Sequence, residues 1–353
     1  MHVPPTGFVA RQSRWNQAYL TRRHGSPTVI LACLAVGLVA GGLQAAEPAN
    51  ADSASKLPPP VRLELQTSDR LKLATWYYPI REQDTPLATV LLLHDLGGSH
   101  ESVEPLSLAL QASGCAVLTP DLRGHGESID PKLERASGSR PPSELLKSQD
   151  FQAMIAMGGG LVRDQASVHG DIESVRRWIK EQPATKGGVD LSRLYIVGSG
   201  LGAALAANWT AADTAWPPIT GGPQGGDVNG LVFIDPMSVA KGFSILPALA
   251  QEPVKTKLPL MVIAGPDRRD ADKIFAQVKR WRPDDWFDSR LGRRSPAKDS
   301  EATLVYVELK GQDRRGARIT GDGFAALRSE NPQQPDPAYL ILNFIKATSV
   351  RRP

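Results

Sequence analysis

The sequence predicts an α/β fold, a mostly parallel central sheet with helices on both faces. Three observations lead there. Short apolar runs alternate with longer amphipathic stretches, as strands do when crossover helices connect them. Six of the runs are continuous in Val, Leu and Ile, as expected of strands buried on both faces. The composition, 41% hydrophobic and 22% charged over 353 residues, belongs to a globular chain long enough to bury a full core.

Taken in order, residues 1–46 read as an export signal. Arg22 and Arg23 precede the uncharged stretch Val29–Leu43, Gly41-Gly42 breaks its helix, and small residues follow at Ala45, Ala46 and Ala49 to Ala51. Cleavage is expected between Ala45 and Ala51. The alternative is an uncleaved N-terminal anchor, because Pro27 to Ala46 carries no charge over 20 residues, about the length that spans a bilayer. Either way the body is exported, to the periplasm or outside the cell. A polar, proline-ending linker follows within residues 47–60, and the body occupies 61–353. Cys33 lies in the signal, which leaves Cys115 alone in an apolar run as a small buried hydrophobe with no internal disulfide partner.

Within the body, Val61–Leu65 and Leu71–Tyr78 form an expected antiparallel pair. Thr89–Leu93, Ala116–Thr119, Leu194–Val197, Leu231–Ile234, Leu260–Ile263 and Leu304–Leu309 are the expected central strands. Glu104–Leu110 and Ile172–Ile179 read as amphipathic helices, the latter placing Ile172, Val175, Trp178 and Ile179 on one face. Ala203–Trp209, Ile274–Trp281 and Ala338–Ala347 continue the alternation, and Asp171 is expected to cap the helix that follows His169-Gly170. No internal repeat, metal-ligand spacing or cofactor motif is present. Six scattered His do not make a zinc site.

In a parallel sheet the loops leaving the strands share the carboxyl edge, where ligands bind. That edge receives the segments after His94, Asp121, Gly198, Asp235, Gly265 and Leu309. Trp216-Pro217-Pro218 and Gly221–Gly226 follow a helix and fall at the far edge as structural turns. Ser128 to Arg163, rich in Pro, Gly and charge, leaves a strand at the binding edge and is expected to cover the mouth together with Met237–Ala250.

Three segments carry a resemblance. Leu91-Leu92-Leu93-His94-Asp95-Leu96-Gly97-Gly98-Ser99 looks like a His-Gly-x-Gly-Gly oxyanion loop with Asp95 where Gly is usual. Pro120-Asp121-Leu122-Arg123-Gly124-His125-Gly126-Glu127-Ser128 is similar, almost residue for residue, to an Asp-x-Arg-Gly-His-Gly-x-Ser turn. Ile196-Val197-Gly198-Ser199-Gly200-Leu201-Gly202 looks like a strand entering a nucleophile elbow. Together they resemble the α/β-hydrolase superfamily, especially its serine esterase and dienelactone-hydrolase-like branches. The resemblance implies that fold from about residue 61 to 348, with His94 and His125 serving the loop framework.

The chemistry departs from the family. With Gly198 and Gly202 as outer glycines of Gly-x-Ser-x-Gly, Gly200 stands at the nucleophile position. Ser199 is one residue early, and moving the register to it would put Val197 and Leu201 where the glycines keep space clear. The family's base is a His after the last strand, but the last His here is His169, and the corresponding loop, Lys310 to Gly316, offers Arg314 and Arg315. Arg keeps its proton and is no general base. The acid loop retains Asp267 and Asp270 with no His to orient. No intact catalytic set remains, and Ser199, Asp267 and Asp270 are the alternatives left open.

The charges exclude one class of function. Residues 1–46 hold four Arg and no acid, and the rest carries basic and acidic side chains in equal number, so the sequence pI near 9.0 does not advertise a nucleic-acid surface. What remains is a cradle: Asp95, Leu96, Gly200 and Leu201, with backbone N–H groups of Leu96 and Leu201 facing the site at a helix start. Arg268, Arg269, Arg314 and Arg315 lie on loops at the same mouth. They are either solvated charges neutralised by Asp267, Asp270 and Asp313 or the walls of an anion-binding pocket. The expectation is an exported hydrolase-fold protein that has lost serine-hydrolase chemistry and binds a small molecule, anionic if those Arg wall the pocket, or a protein partner. The alternative is an active ester hydrolase with a non-standard nucleophile such as Ser199. A membrane partner is implied only by an uncleaved N-terminus.

Overall fold

The computed structural model describes residues 57–157, 169–183, 187–216, 220, 225–291, 293–294, 302–310, 318–329 and 335–349. The expected export segment and most of the linker fall on residues 1–56, outside the described residues. No helix among the described residues is long and apolar enough to cross a membrane.

β1 (Val61–Gln66) and β2 (Lys72–Tyr78) lead into β3 (Ala88–Leu93), α1 (His100–Ala112) and β4 (Cys115–Pro120). The short helices α2 (Pro131–Ser137) and α3 (Ser148–Met154) precede α4 (Asp171–Glu181), β5 (Leu194–Ser199) and α5 (Leu201–Thr214). Then come β6 (Val228–Ile234), the small pair β7 (Val239–Ala240) and β8 (Phe243–Ser244), α6 (Leu246–Leu249), β9 (Leu260–Ala264) and α7 (Arg269–Trp281). β10 (Trp286–Asp288), β11 (Arg293–Arg294), β12 (Leu304–Glu308), α8 (Gly321–Ala325) and α9 (Pro337–Ser349) follow.

All eight expected strands form, with every end within three residues of its expected place. Ten strands make one sheet in the order β1-β2-β4-β3-β5-β6-β9-β12-β10-β11. β1 and β2 pair antiparallel, β2 joins β4 antiparallel, and β4, β3, β5, β6, β9, β12 and β10 run parallel. β10, β11 and α8 had no sequence signal, since each is too short to show a period.

Continuous apolar strands are required because both sheet faces are covered. In β3, Leu91 and Leu93 enter one core while Val90 and Leu92 enter the other; in β6, Leu231 and Phe233 are divided in the same way from Val232 and Ile234. The first core is closed by α4, α5 and α7 through Ile172, Val175, Leu205, Trp209, Ile274 and Val278. The second is closed by α1, α8 and α9 through Val103, Leu106, Phe324, Ile341 and Phe344. Cys115 is fully buried in this second core, and burial pushes its thiol up to about 12, as befits a small hydrophobe.

One capping expectation is corrected. Gly170 is the N-cap of α4 and Asp171 its first helical residue. The Asp171 carboxylate instead accepts from the Arg123 backbone N–H at 2.8 Å and from its Nη2 at 2.7 Å, so it anchors the turn after β4. Of the expected cover, 128–157 is described and 158–163 is not. It reaches the 237–250 segment directly: Lys241 Nζ donates to the carbonyls of Ser143 and Glu144, and the rings of Phe151 and Phe243 lie 5.7 Å apart.

Candidate functional site

The carboxyl ends of β3, β4, β5, β6 and β9 deliver the site, and the loop after β3 comes first. His94 donates from Nδ1 to the Asp95 carbonyl at 2.7 Å and accepts the Leu122 N–H on Nε2 at 3.1 Å. Since a carbonyl only accepts and an amide N–H only donates, these partners fix the ring as the neutral Nδ1–H tautomer. His94 thus ties the loop after β3 to the loop after β4.

The turn after β4 is held from several sides. Asp121, fully buried, accepts the His100 N–H at 2.7 Å and the Glu127 N–H at 2.8 Å. His100 opens α1 and lies flat on Trp76, ring centroids 3.3 Å apart. His125 bonds the Arg123 carbonyl from Nδ1 at 3.0 Å, and burial beside His94 pushes its pKa down to about 4. Both histidines do the framework work the resemblance implied.

After β5 the chain turns sharply. Gly200 has φ +51°, in the region glycine favours, and α5 begins at the next residue. The glycines on either side are required by space. A Cβ on Gly198 would lie 2.4 Å from the Ala203 nitrogen, and one on Gly202 would lie 2.4 Å from the Leu93 carbonyl oxygen. That fixes the register with Gly200 at the centre. Ser199, the alternative nucleophile, lies on the last residue of β5 with 0% exposure, and its hydroxyl has no hydrogen-bond partner among the described residues. It is sealed from solvent, because strand geometry sends its side chain into the sheet's packing while the turn itself belongs to Gly200.

What fills the centre is Asp95. Its Oδ1 accepts the N–H of Leu96 and the N–H of Leu201, each at 2.7 Å. A Cβ on Gly200 would sit 2.0 Å from that same oxygen. The two amides expected as a cradle do converge, and their acceptor is a side chain of the protein itself. Asp322 on α8 fixes the arrangement, taking the Asp95 N–H on Oδ1 at 2.8 Å and the Ser102 hydroxyl on Oδ2 at 2.7 Å. Burial pushes the Asp95 carboxyl up to about 6 against the pull of its two N–H donors, with the charges of Asp322 and Asp235 adding to the rise.

Asp235, at φ +44° after β6, accepts the Gly321 N–H at 2.9 Å, and burial also raises its pKa. Asp95, Asp235, Asp267, Arg269, Asp270, Met237 and Gly321 line one cleft of about 510 Å³ at the carboxyl edge. A second cleft of about 570 Å³ lies at the opposite edge, among Ser192, Tyr195, Thr210 and Asn229, with no carboxylate or histidine in its lining among the described residues.

The arginines do not assemble as an anion pocket among the described residues. Arg268 is turned to Glu308, with Nη1 at 3.0 and 2.8 Å from the two carboxylate oxygens. Arg269 lines the cleft, but its Nε and Nη2 grip Asp267 at 2.9 and 2.6 Å and its side chain is 87% exposed. That pairing draws the Asp267 carboxyl down to about 2. Asp270 accepts the Ser238 hydroxyl at 2.6 Å. Arg314 and Arg315 lie outside the described residues. The described lining is therefore net acidic, and Arg268 and Arg269 follow the first of the two alternatives, solvated charges paired with neighbouring acids.

Sequence reasoning named Asp95 but assigned it no partner, placed Asp235 at the binding edge without a role, and missed Asp322. Asp95 replacing a usual Gly was the available signal. A side chain added there must occupy space, and the space it occupies is the one a side chain at Gly200 would need.

No curated protein matches the chain by sequence. Solved structures similar in fold include an esterase from Pyrobaculum calidifontis, 15% identical, covering 84% of this chain and 88% of that one, with a TM-score of 0.48. A dienelactone hydrolase from Anabaena variabilis is 13% identical over 83% of this chain and 96% of its own, with a TM-score of 0.44. An esterase from Pyrococcus furiosus is 15% identical over 81% and 91%, with a TM-score of 0.42. The family model described as alpha/beta hydrolase matches residues 90–344, from β3 through α9. The chain carrying this sheet and these turns belongs to the alpha/beta hydrolase family.

Proposed function

We propose that this chain is an exported alpha/beta-hydrolase-fold protein that no longer performs serine-hydrolase chemistry and uses its carboxyl-edge cleft to bind a small molecule or a protein partner. The observation that carries the reading is the centre of the turn after β5. Gly200 offers no hydroxyl, and the Asp95 carboxylate stands in the space where one would project. Two further facts support it. The sequence has no His after His169 to serve as base, and Ser199 is buried without solvent access. Nucleophile and base act as a unit, so losing both removes most of the rate enhancement such a site supplies. The acidic lining favours a neutral or positively charged ligand over an anionic one. Export rests on residues 1–46 and predicts a mature N-terminus between Ala45 and Ala51.

The test is hydrolysis of short p-nitrophenyl esters by the purified protein beside a Ser199→Ala variant, with fluorophosphonate labelling of both. The expected result is equal, buffer-like rates and no label. Stoichiometric labelling of Ser199, or a rate lost on its replacement, would overturn the reading.

A further inference from the structure

We infer that the Asp95 carboxylate is a built-in ligand of the Leu96 and Leu201 amides, closing from within a cradle that takes a small external carboxylate once the side chain is removed. The inference rests on the turn geometry of the proposed function and deepens it at one point: it names the group that the two amides take, a carboxylate, which Asp95 itself supplies in the wild type, while the acidic cleft around them keeps its preference for neutral or positively charged ligands.

Four observations carry it. The two donors come from different elements, the loop after β3 and the start of the 14-residue α5, yet they converge on one oxygen at 2.7 Å each. A single carboxylate oxygen meets fixed N–H groups and the positive end of a helix together, the arrangement that suits an anion. The Asp95 main chain is clamped so that the side chain is held in place. Its N–H goes to Asp322 at 2.8 Å, and its carbonyl accepts from His94 Nδ1 at 2.7 Å and from the Gly98 N–H at 3.0 Å.

The site is also moulded to the group. A Cβ on Gly200 would lie 2.0 Å from Asp95 Oδ1, and one on Gly321 would lie 2.4 Å from Oδ2, so two glycines at the starts of separate helices clear the volume of one carboxylate. Finally, Asp95 lines the cleft, which gives an external group a path to the same place. Burial beside Asp322 and Asp235 opposes a charge here, as the raised Asp95 pKa reflects. The two N–H donors offset that cost, and without an acceptor they would be left unpaired.

The departures at residues 95 and 200 therefore form one steric unit. Asp95 fits because residue 200 lacks a side chain, and a side chain at 200 fits only when residue 95 withdraws.

The experiment uses the full chain as wild type, Asp95→Gly, Gly200→Ala and the double variant. Thermal unfolding is followed with sodium formate, with acetamide as the neutral relative, and with sodium chloride at matched ionic strength. Asp95→Gly is expected to melt below wild type and to regain about 2–4 °C as formate saturates the cradle in the millimolar range. Wild type does not respond specifically to formate, and neither variant responds to acetamide. Gly200→Ala lowers the melting point of wild type more than that of Asp95→Gly, since the positive φ penalises Ala in both backgrounds but the clash exists in only one. In the double variant the methyl group fills the cradle and the formate response is lost.

Equal formate responses in wild type and Asp95→Gly would overturn the inference, as would no response in a folded Asp95→Gly. If Asp95→Gly is unfolded in chloride, refolding by formate and not by acetamide is the expected result, and a chain unfolded in both overturns the inference. Ester hydrolysis by the same wild-type sample is a separate readout, so an active protein whose Asp95→Gly variant still binds formate would sink the proposed function and leave this assignment standing.

Discussion

The turns after β4 and after β5 are built alike and have ended differently. Each packs a carboxylate against glycines that admit no Cβ: Asp121 Oδ2 lies 2.0 Å from where a Gly126 Cβ would be, and Asp95 Oδ1 lies 2.0 Å from a Gly200 Cβ. In the first turn the carboxylate belongs to the motif and accepts the Glu127 N–H of its own turn together with the His100 N–H that opens α1. In the second it arrives from the loop after β3, accepts the Leu96 and Leu201 N–H groups and fills the space beside Gly200, where the proposed function has a reacting side chain lost. The contrast teaches that framework and chemistry are separable. Hydrogen bonds inside a turn stabilise the fold whether or not a substrate ever arrives, whereas a nucleophile adds little to stability and can be exchanged for a group that fills its space.

Breaking the first turn should have the largest effect. Arg123→Ala leaves Asp171, which is fully buried, without its cation, and stability should fall by about 3–5 kcal/mol in urea unfolding. A loss below about 1 kcal/mol would show that this ion pair does not anchor the turn.

The second turn is sharpened by pH. Asp95 titrates near 6 when folded, above the ordinary carboxylate value of 3.8, so the folded state binds more protons than the unfolded one in that window. Its contribution to stability is complete below the unfolded value and is lost as pH rises through about 6. Asp235, Asp171, Glu173 and Asp213, each raised first of all by burial, act in the same direction. Wild type should therefore lose stability relative to Asp95→Asn between pH 5 and 7, with a slope difference of up to about 1.4 kcal/mol per pH unit. Parallel stability curves for the two proteins would contradict the assignment.

The smallest effect belongs to the exposed charges beside the turns. Arg269→Ala removes a solvent-exposed partner of Asp267, and the melting temperature should move by no more than about 1 °C. A larger fall would mean that the pair holds the α7 entry in place.

The sequence by itself determined the sheet. Runs such as Thr89–Leu93 and Leu260–Ile263 have to be buried on both faces, and alternation with amphipathic stretches leaves few arrangements beyond a helix-covered parallel sheet. It also determined the glycine register, since Gly198 and Gly202 stand at the spacing the turn requires and a one-residue shift would put Val197 and Leu201, each with a Cβ, in their place. Burial of Asp171 was not legible, because a charged residue at a helix start reads as a cap until a buried Arg from another loop is seen to claim it. The same holds at the candidate site. Asp95, read as standing where a glycine is usual, and Gly200, read as standing where a serine is usual, are separate expectations along the chain, 105 residues apart. Only the tertiary structure made them one, because β3 and β5 are neighbours in the sheet and their carboxyl ends bring the side chain of one turn into the space left by the other. The sign of the cleft was decided there too. Arg268 and Arg269 found acidic partners on the surface, while Asp95 and Asp235 were drawn inward by backbone N–H groups whose convergence no linear pattern encodes.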